Sequence, residues 1–169
     1  MNQKPLLVLG VGNRILSDDG IGIRLIEDLQ DHFSNQPVEF KEACCGGLEI
    51  VEIMQGYEDV IIIDSIKTEY GSPGSVYTFT VEDFKETLHI SSFHDISFLI
   101  ALEFGKQSGL QIPKNIKIVA VEIVEDMIFD ENLSPEISQH YNSIKADVSD
   151  LLKDQIDKLV PSESEALTG

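Results

Sequence analysis

Two adjacent carboxylates, Asp18 and Asp19, stand directly behind a glycine turn, in the stretch Leu9-Gly-Val-Gly-Asn13-Arg-Ile-Leu-Ser-Asp18-Asp-Gly-Ile-Gly22. A strand, a glycine turn and a helix in that order commonly hold phosphate at the helix N-terminus. The details here argue against phosphate. A dinucleotide loop needs a third glycine, and Ile15 takes its place; a P-loop needs a lysine followed by Ser or Thr, and neither follows. Two unit charges about 4 Å apart already interact by about 1 kcal/mol in water, so paired carboxylates would repel a pyrophosphate. The guest that suits such a loop is a cation. The competing reading is that an Asp caps the helix, favoured by the helix dipole. One Asp satisfies that reading, and the second is left over.

Asp64 closes the most apolar run, Val60-Ile-Ile-Ile63. An acid there is often just the first polar residue of a loop. If the strands are parallel, however, Asp64 faces the same crevice as Asp18 and Asp19, because ligands in such sheets sit beyond the carboxyl ends of the strands. His94 lies in Ser91-Ser-Phe-His-Asp95, where Ser92 and Asp95 have capping-box spacing. That puts His94 in a first helical turn, where the positive helix end keeps imidazole neutral and able to bind a metal. On its own such a histidine is more often a polar surface or packing residue. Asp18 or Asp19, Asp64 and His94 together offer mixed oxygen and nitrogen donors, which suit a borderline divalent ion such as nickel or zinc. His32, His89 and His140 are less well placed. Cys44 and Cys45 follow a strand and can also reach this edge. A Cys-His nucleophilic pair is one reading; that one or both are small buried residues is the plainer one.

The bulk properties narrow the function class. With 169 residues and 42% apolar content the chain suits one domain, residues 1–160, followed by a tail at 161–169 that carries no apolar pattern. Thirty acids against twelve bases give a net charge of -18, which disfavours nucleic acid and anionic membrane as partners. No apolar run approaches the roughly 18 residues that span a bilayer, and the N-terminus lacks a signal peptide's pattern. Two neighbouring cysteines are no disulfide scaffold, so a reducing, cytoplasmic setting is expected.

The elements that must position these groups alternate. Strands are expected at Leu6–Leu9, Val38–Ala43, Asp59–Asp64, Val76–Phe79 and Lys117–Val124. Helices are expected after Asp19, from Leu48 to Met54, after Ser92, and from Ser134-Pro135-Glu136, an N-cap followed by proline at the first position. The alternation implies an α/β fold, a three-layer αβα sandwich around a twisted, mostly parallel sheet.

Taken in order, the motifs resemble those of the nickel-iron hydrogenase maturation endopeptidases: Val8-Leu-Gly-Val-Gly-Asn13, Ser17-Asp-Asp-Gly-Ile-Gly22, Gly47-Leu-Glu49, Val60-Ile-Ile-Ile-Asp64, Gly71-Ser-Pro-Gly74, His94 with Asp95, and Leu133-Ser-Pro-Glu136. The likeness runs from about residue 5 to residue 155. It implies a cytoplasmic protease that removes a short C-terminal extension from the hydrogenase large-subunit precursor after nickel is inserted. It also implies a metal grip formed by Asp19, Asp64 and His94, with nickel arriving on the substrate and zinc or cadmium able to stand in for it. Many relatives carry Glu at the position of Asp19, and commonly Gly-Thr where this chain has Cys44-Cys45. Asp18 is a further carboxylate that can act as general base. The expected partner is the large-subunit precursor, and the expected state a monomer. The rival readings are a cysteine peptidase using Cys45 with His94, and a metal-sensing chaperone that binds the precursor without cutting it.

Overall fold

The structure, a computed structural model, describes residues 5–44, 46–86 and 93–159, with the side chains at 84–86 and 93–97 outside the description. Cys45, His89, Ser92 and the 161–169 tail lie outside the described residues.

Nine of the ten strands and α-helices described follow the expected alternation. The ten are β1 (Leu6–Val11), α1 (Ile21–Leu29), β2 (Val38–Ala43), α2 (Gly47–Ile53), β3 (Asp59–Ile66), β4 (Val76–Thr80), α3 (Val81–Glu86), α4 (Phe93–Gln107), β5 (Asn115–Glu122) and α5 (Pro135–Leu159), and α3 is the addition. The sheet order is β2-β1-β3-β5-β4. β1, β2, β3 and β5 run parallel, and β4 pairs antiparallel with β5 at the edge.

The two-residue period of the strands sorts the core into two layers. Leu6, Val8, Ile61, Ile63, Val119 and Val121 meet α1 and α5, through Ile21, Leu25, Ile144 and Val148. Leu7, Leu9, Val60, Ile62 and Ile118 meet α2 and α4, through Ile50, Val51, Phe98 and Leu102. Both faces of β3 are therefore buried, which is why its sequence reads as an unbroken apolar run rather than an alternating one. Truncating Ile63, which is fully buried, to Ala would cost about 2–5 kcal/mol.

Three local features differ from the sequence-based expectation. β3 does not stop at Asp64: Ser65 and Ile66 stay in register with Val121 and Glu122 of β5, so Asp64 is a strand residue. The short helix α3 carries too little periodic sequence to announce itself. The helix after Asp19 has Gly20 at its N-cap with no side-chain cap, so neither aspartate caps it. Instead Ser17–Gly20 form a short 3-10 turn leading into α1.

The glycines of the first loop serve close approach. A Cβ on Gly12, whose φ is +140°, would fall 1.9 Å from the Asp19 carbonyl oxygen. One on Gly22 would fall 2.3 Å from the Ile63 carbonyl oxygen, where α1 crosses the sheet. At α5 the expected start is present: Ser134 Oγ accepts the Ile137 N–H at 3.3 Å, ahead of Pro135 at the first helical position. No helix among the described residues is long and apolar enough to cross a membrane.

Candidate active site

The carboxyl ends of β1, β2, β3 and β5 form one edge, and the loops leaving it carry most of the residues that can do chemistry. The segment after β1 turns through Gly12 and delivers Asp19 to the start of α1. Asp19 is buried, at 7% exposure, yet ionisable, so it must be hydrogen-bonded to be tolerated. Its Oδ2 accepts the Asn13 N–H at 2.8 Å and its Oδ1 accepts the Ser65 hydroxyl at 3.1 Å. A carboxylate has about four lone-pair positions, so two donors fix its orientation without exhausting its capacity to ligate a cation.

Ser65 joins Asp19 to Asp64. Its hydroxyl points to the α1 side of the sheet and reaches Asp19, while its backbone N–H lies 2.7 Å from Asp64 Oδ1. Strand alternation puts the Asp64 side chain on the opposite face, the one covered by α2 and α4. The two carboxylates thus straddle the end of β3, with Ser65 between them. Sequence reasoning missed Ser65. The signal that could have found it is its position: the residue after Asp64 on a strand must face the side from which Asp19 arrives.

His94 is the second residue of α4. Because α4 leads into β5, which is parallel to β3, its N-terminus belongs to the carboxyl edge of the sheet. The topology therefore brings the backbone of His94 to the edge that carries Asp19 and Asp64. Among the described residues no cluster of three His, Cys, Asp or Glu side chains is gathered tightly enough to hold a metal, and the His94 side chain lies outside that set. The donor chemistry, two carboxylates held at one edge and an imidazole-bearing helix start, fits a borderline divalent ion.

Asp18 is not assembled with these groups. It is wholly buried, and it accepts three backbone N–H bonds from distant residues: Glu125 at 2.9 Å and Val124 at 3.3 Å on Oδ2, and Ser134 at 2.7 Å on Oδ1. Its own N–H donates to the Glu125 carbonyl at 3.1 Å. The neighbouring Ser17, held at a φ of +50°, donates its N–H to the Asp130 carbonyl at 2.8 Å and its hydroxyl to the Asn132 carbonyl at 3.1 Å. A non-glycine residue at positive φ persists only where its surroundings impose it. Here the β5–α5 segment imposes it.

Arg14, in the same loop, is paired with Glu27 at 2.6 Å and with Glu42, and these acids hold its pKa above the usual value. Its charge is satisfied within the protein, consistent with rejecting a phosphate guest. Cys44 is exposed beyond β2, so of the two cysteines it is not the small buried one; Cys45 lies outside the described residues. His32 and His140 are exposed on the surface. Glu122, 2% exposed at the end of β5, accepts the Thr68 N–H at 2.7 Å and the Thr68 hydroxyl at 3.0 Å, which fastens the β3–β4 loop.

Comparison with known proteins gives a consistent result. A family model described as hydrogenase maturation protease matches residues 23–159, a span that begins just beyond Asp19. The Escherichia coli K12 hydrogenase 2 maturation protease is 30% identical over 135 residues, covering 78% of this chain and 77% of that protein. The hydrogenase expression/formation protein HupD of Thiocapsa roseopersicina is 27% identical over 149 residues, 82% of this chain but only 64% of the relative's length. Among solved structures, the hydrogenase maturating endopeptidase HybD from Escherichia coli superposes with a TM-score of 0.70 at 24% identity, covering 89% of this chain and 93% of that one. The HybD protease from Thermococcus kodakarensis gives 0.67 at 21% identity, covering 87% and 98%. At those identities the structural likeness establishes the α/β fold.

Proposed function

This chain belongs to the hydrogenase maturation protease family, and from that premise we propose that it is the endopeptidase that removes the C-terminal extension of a nickel-iron hydrogenase large-subunit precursor once nickel is in place. The observation that carries the reading is the Asp19–Ser65–Asp64 arrangement at the carboxyl edge of the sheet, beside the helix start that bears His94. Asp19, Asp64 and His94 are the proposed grip on nickel, which is part of the substrate; zinc or cadmium can replace it in binding measurements.

Hydrolysis adds water across one peptide bond. The water oxygen bonds to the carbonyl carbon, the C–N bond breaks, and the departing amine takes up a proton. A metal brought by the substrate supplies polarisation of that carbonyl or a water of lowered pKa. The chain's own contribution is positioning. The Asn13 N–H and the Ser65 hydroxyl fix Asp19 before substrate arrives, so binding costs little reorganisation. Asp18 is a poorer general base than its sequence position suggested, since three backbone donors already occupy it. We assign it to holding the loop, and the proton transfer to Asp64 or to water.

The test is mass spectrometry of purified nickel-loaded precursor incubated with the protein. Loss of one C-terminal fragment is expected with wild type, and no loss with His94→Ala or Asp64→Asn. Unchanged precursor mass with wild type would leave a binding chaperone instead; full activity in both variants would remove the metal grip.

A further inference from the structure

Three consecutive large apolar side chains stand in solvent just beyond β5: Met127 at 79%, Ile128 at 58% and Phe129 at 79% exposure. A soluble protein usually scatters such residues singly, and a contiguous set marks a contact surface. These three are also held in place. Glu125 Oε1 accepts the N–H of Met127 at 2.7 Å and of Ile128 at 3.1 Å, and Lys67 pairs with Asp126 at 2.8 Å. On the far side, Asp130 donates its N–H to the Ile15 carbonyl at 3.1 Å, which sets Ile15, 47% exposed, beside the same loop. The base of the loop is clamped by the Asp18 carboxylate, adjacent in sequence to Asp19. The apolar residues are therefore fixed relative to the candidate site.

The geometry points to Met127, Ile128, Phe129 and Ile15 as the docking surface for the large-subunit precursor itself, gripping an apolar segment of that protein next to the tail to be cut. This rests on the proteolytic reading above. Charge selects the occupant. Glu125, Asp126, Asp130 and Glu131 flank the apolar residues in sequence against the single paired base Lys67, and the chain carries a net charge of -18. A second copy would bring the same acids against these, which repels, whereas a partner with an apolar contact flanked by basic residues is attracted. Rigid apolar anchors inside a polar rim are the arrangement that carries most of the binding energy in an interface.

The test uses nickel-loaded precursor as the probe, with binding and cleavage both measured. The triple variant Met127→Ser, Ile128→Ser, Phe129→Ser should bind about tenfold or more weakly and raise half-saturation of cleavage by the same factor, with the rate at saturation within about twofold of wild type. The single variant Phe129→Ser, which removes only an exposed side chain, should lose roughly three- to tenfold and serves if the triple variant folds poorly. Wild-type cleavage with unaltered half-saturation in both variants would overturn the docking surface alone. Wild type that neither binds nor cuts the precursor would overturn the proteolytic reading and this one with it. Sedimentation showing a wild-type dimer that the triple variant abolishes would hand the surface to a second copy and overturn the assigned occupant.

Discussion

The Ser65 hydroxyl lies 3.1 Å from Asp19 Oδ1, across 46 residues of sequence, and the same residue's N–H lies 2.7 Å from Asp64 Oδ1. One small buried side chain thus ties the loop after β1 to the end of β3, between the two acids proposed to hold the metal.

Removing that tie should separate function from folding. Ser65→Ala leaves the Asn13 N–H on Asp19 Oδ2 and removes the hydroxyl from Oδ1, at a net stability loss of about 1 kcal/mol. Because a group that orients a metal-binding carboxylate typically matters by 10- to 100-fold, precursor processing should fall by about that factor. Nickel or zinc affinity, measured by titration calorimetry, should weaken in step while thermal unfolding barely moves. Equal loss in both measurements would make Ser65 merely a packing residue.

Asp18 and Asp19 should behave oppositely although they are neighbours. Asp18→Ala strips the acceptor from three buried backbone N–H groups and should destabilise by about 3 kcal/mol or more, read by chemical denaturation. Asp19→Asn keeps the volume and one acceptor oxygen, so stability should change by about 1 kcal/mol or less while processing is lost. The reverse pattern would transfer the chemistry to Asp18.

The docking loop should have an acid limit. Asn132, through its backbone and then its side-chain N–H, holds the Asp130 carboxyl below the usual carboxylate value. A pKa lowered by folding contributes stability that is present above the unfolded value and lost as pH falls through the folded one. The 130–132 turn should therefore be intact at neutral pH and loosen only below about pH 4. The Asn132 backbone amide, followed by NMR through an acid titration, should shift with that midpoint; Asp130→Asn should abolish the transition. A midpoint at or above the ordinary carboxylate value would show that the turn does not hold the ionised form.

Most of the fold was legible because its signals are local. Val60–Ile63 read as a buried strand, and Ser134-Pro135-Glu136 read as a helix start, as found. The end of β3 was misplaced because the residues that extend it, Ser65 and Ile66, are paired by Val121 and Glu122, and nothing adjacent in sequence reveals that partnership. The family resemblance singled out Asp19 for the metal grip, but nothing in the sequence showed that Asp18 is a buried acceptor for the scaffold. Asp18 is decided by Val124, Glu125 and Ser134, which lie more than a hundred residues away.

By itself, then, the sequence determined the alternation of strands and helices, the parallel character of the sheet and the sign of charge that its first loop offers, since periodicity, β-branching and glycine spacing act over a few residues. Only the tertiary structure revealed that Asp18 is built into the scaffold, and made Ser65 the link between Asp19 and Asp64. Gly12 lets the loop fold back against Asp19, and the turn at Ser17–Gly20 sets that residue against Ser65 of β3. The physical reason is that a buried carboxylate takes its role from its hydrogen-bond donors, and here the donors that distinguish the two come from strands and loops that meet only when the sheet closes.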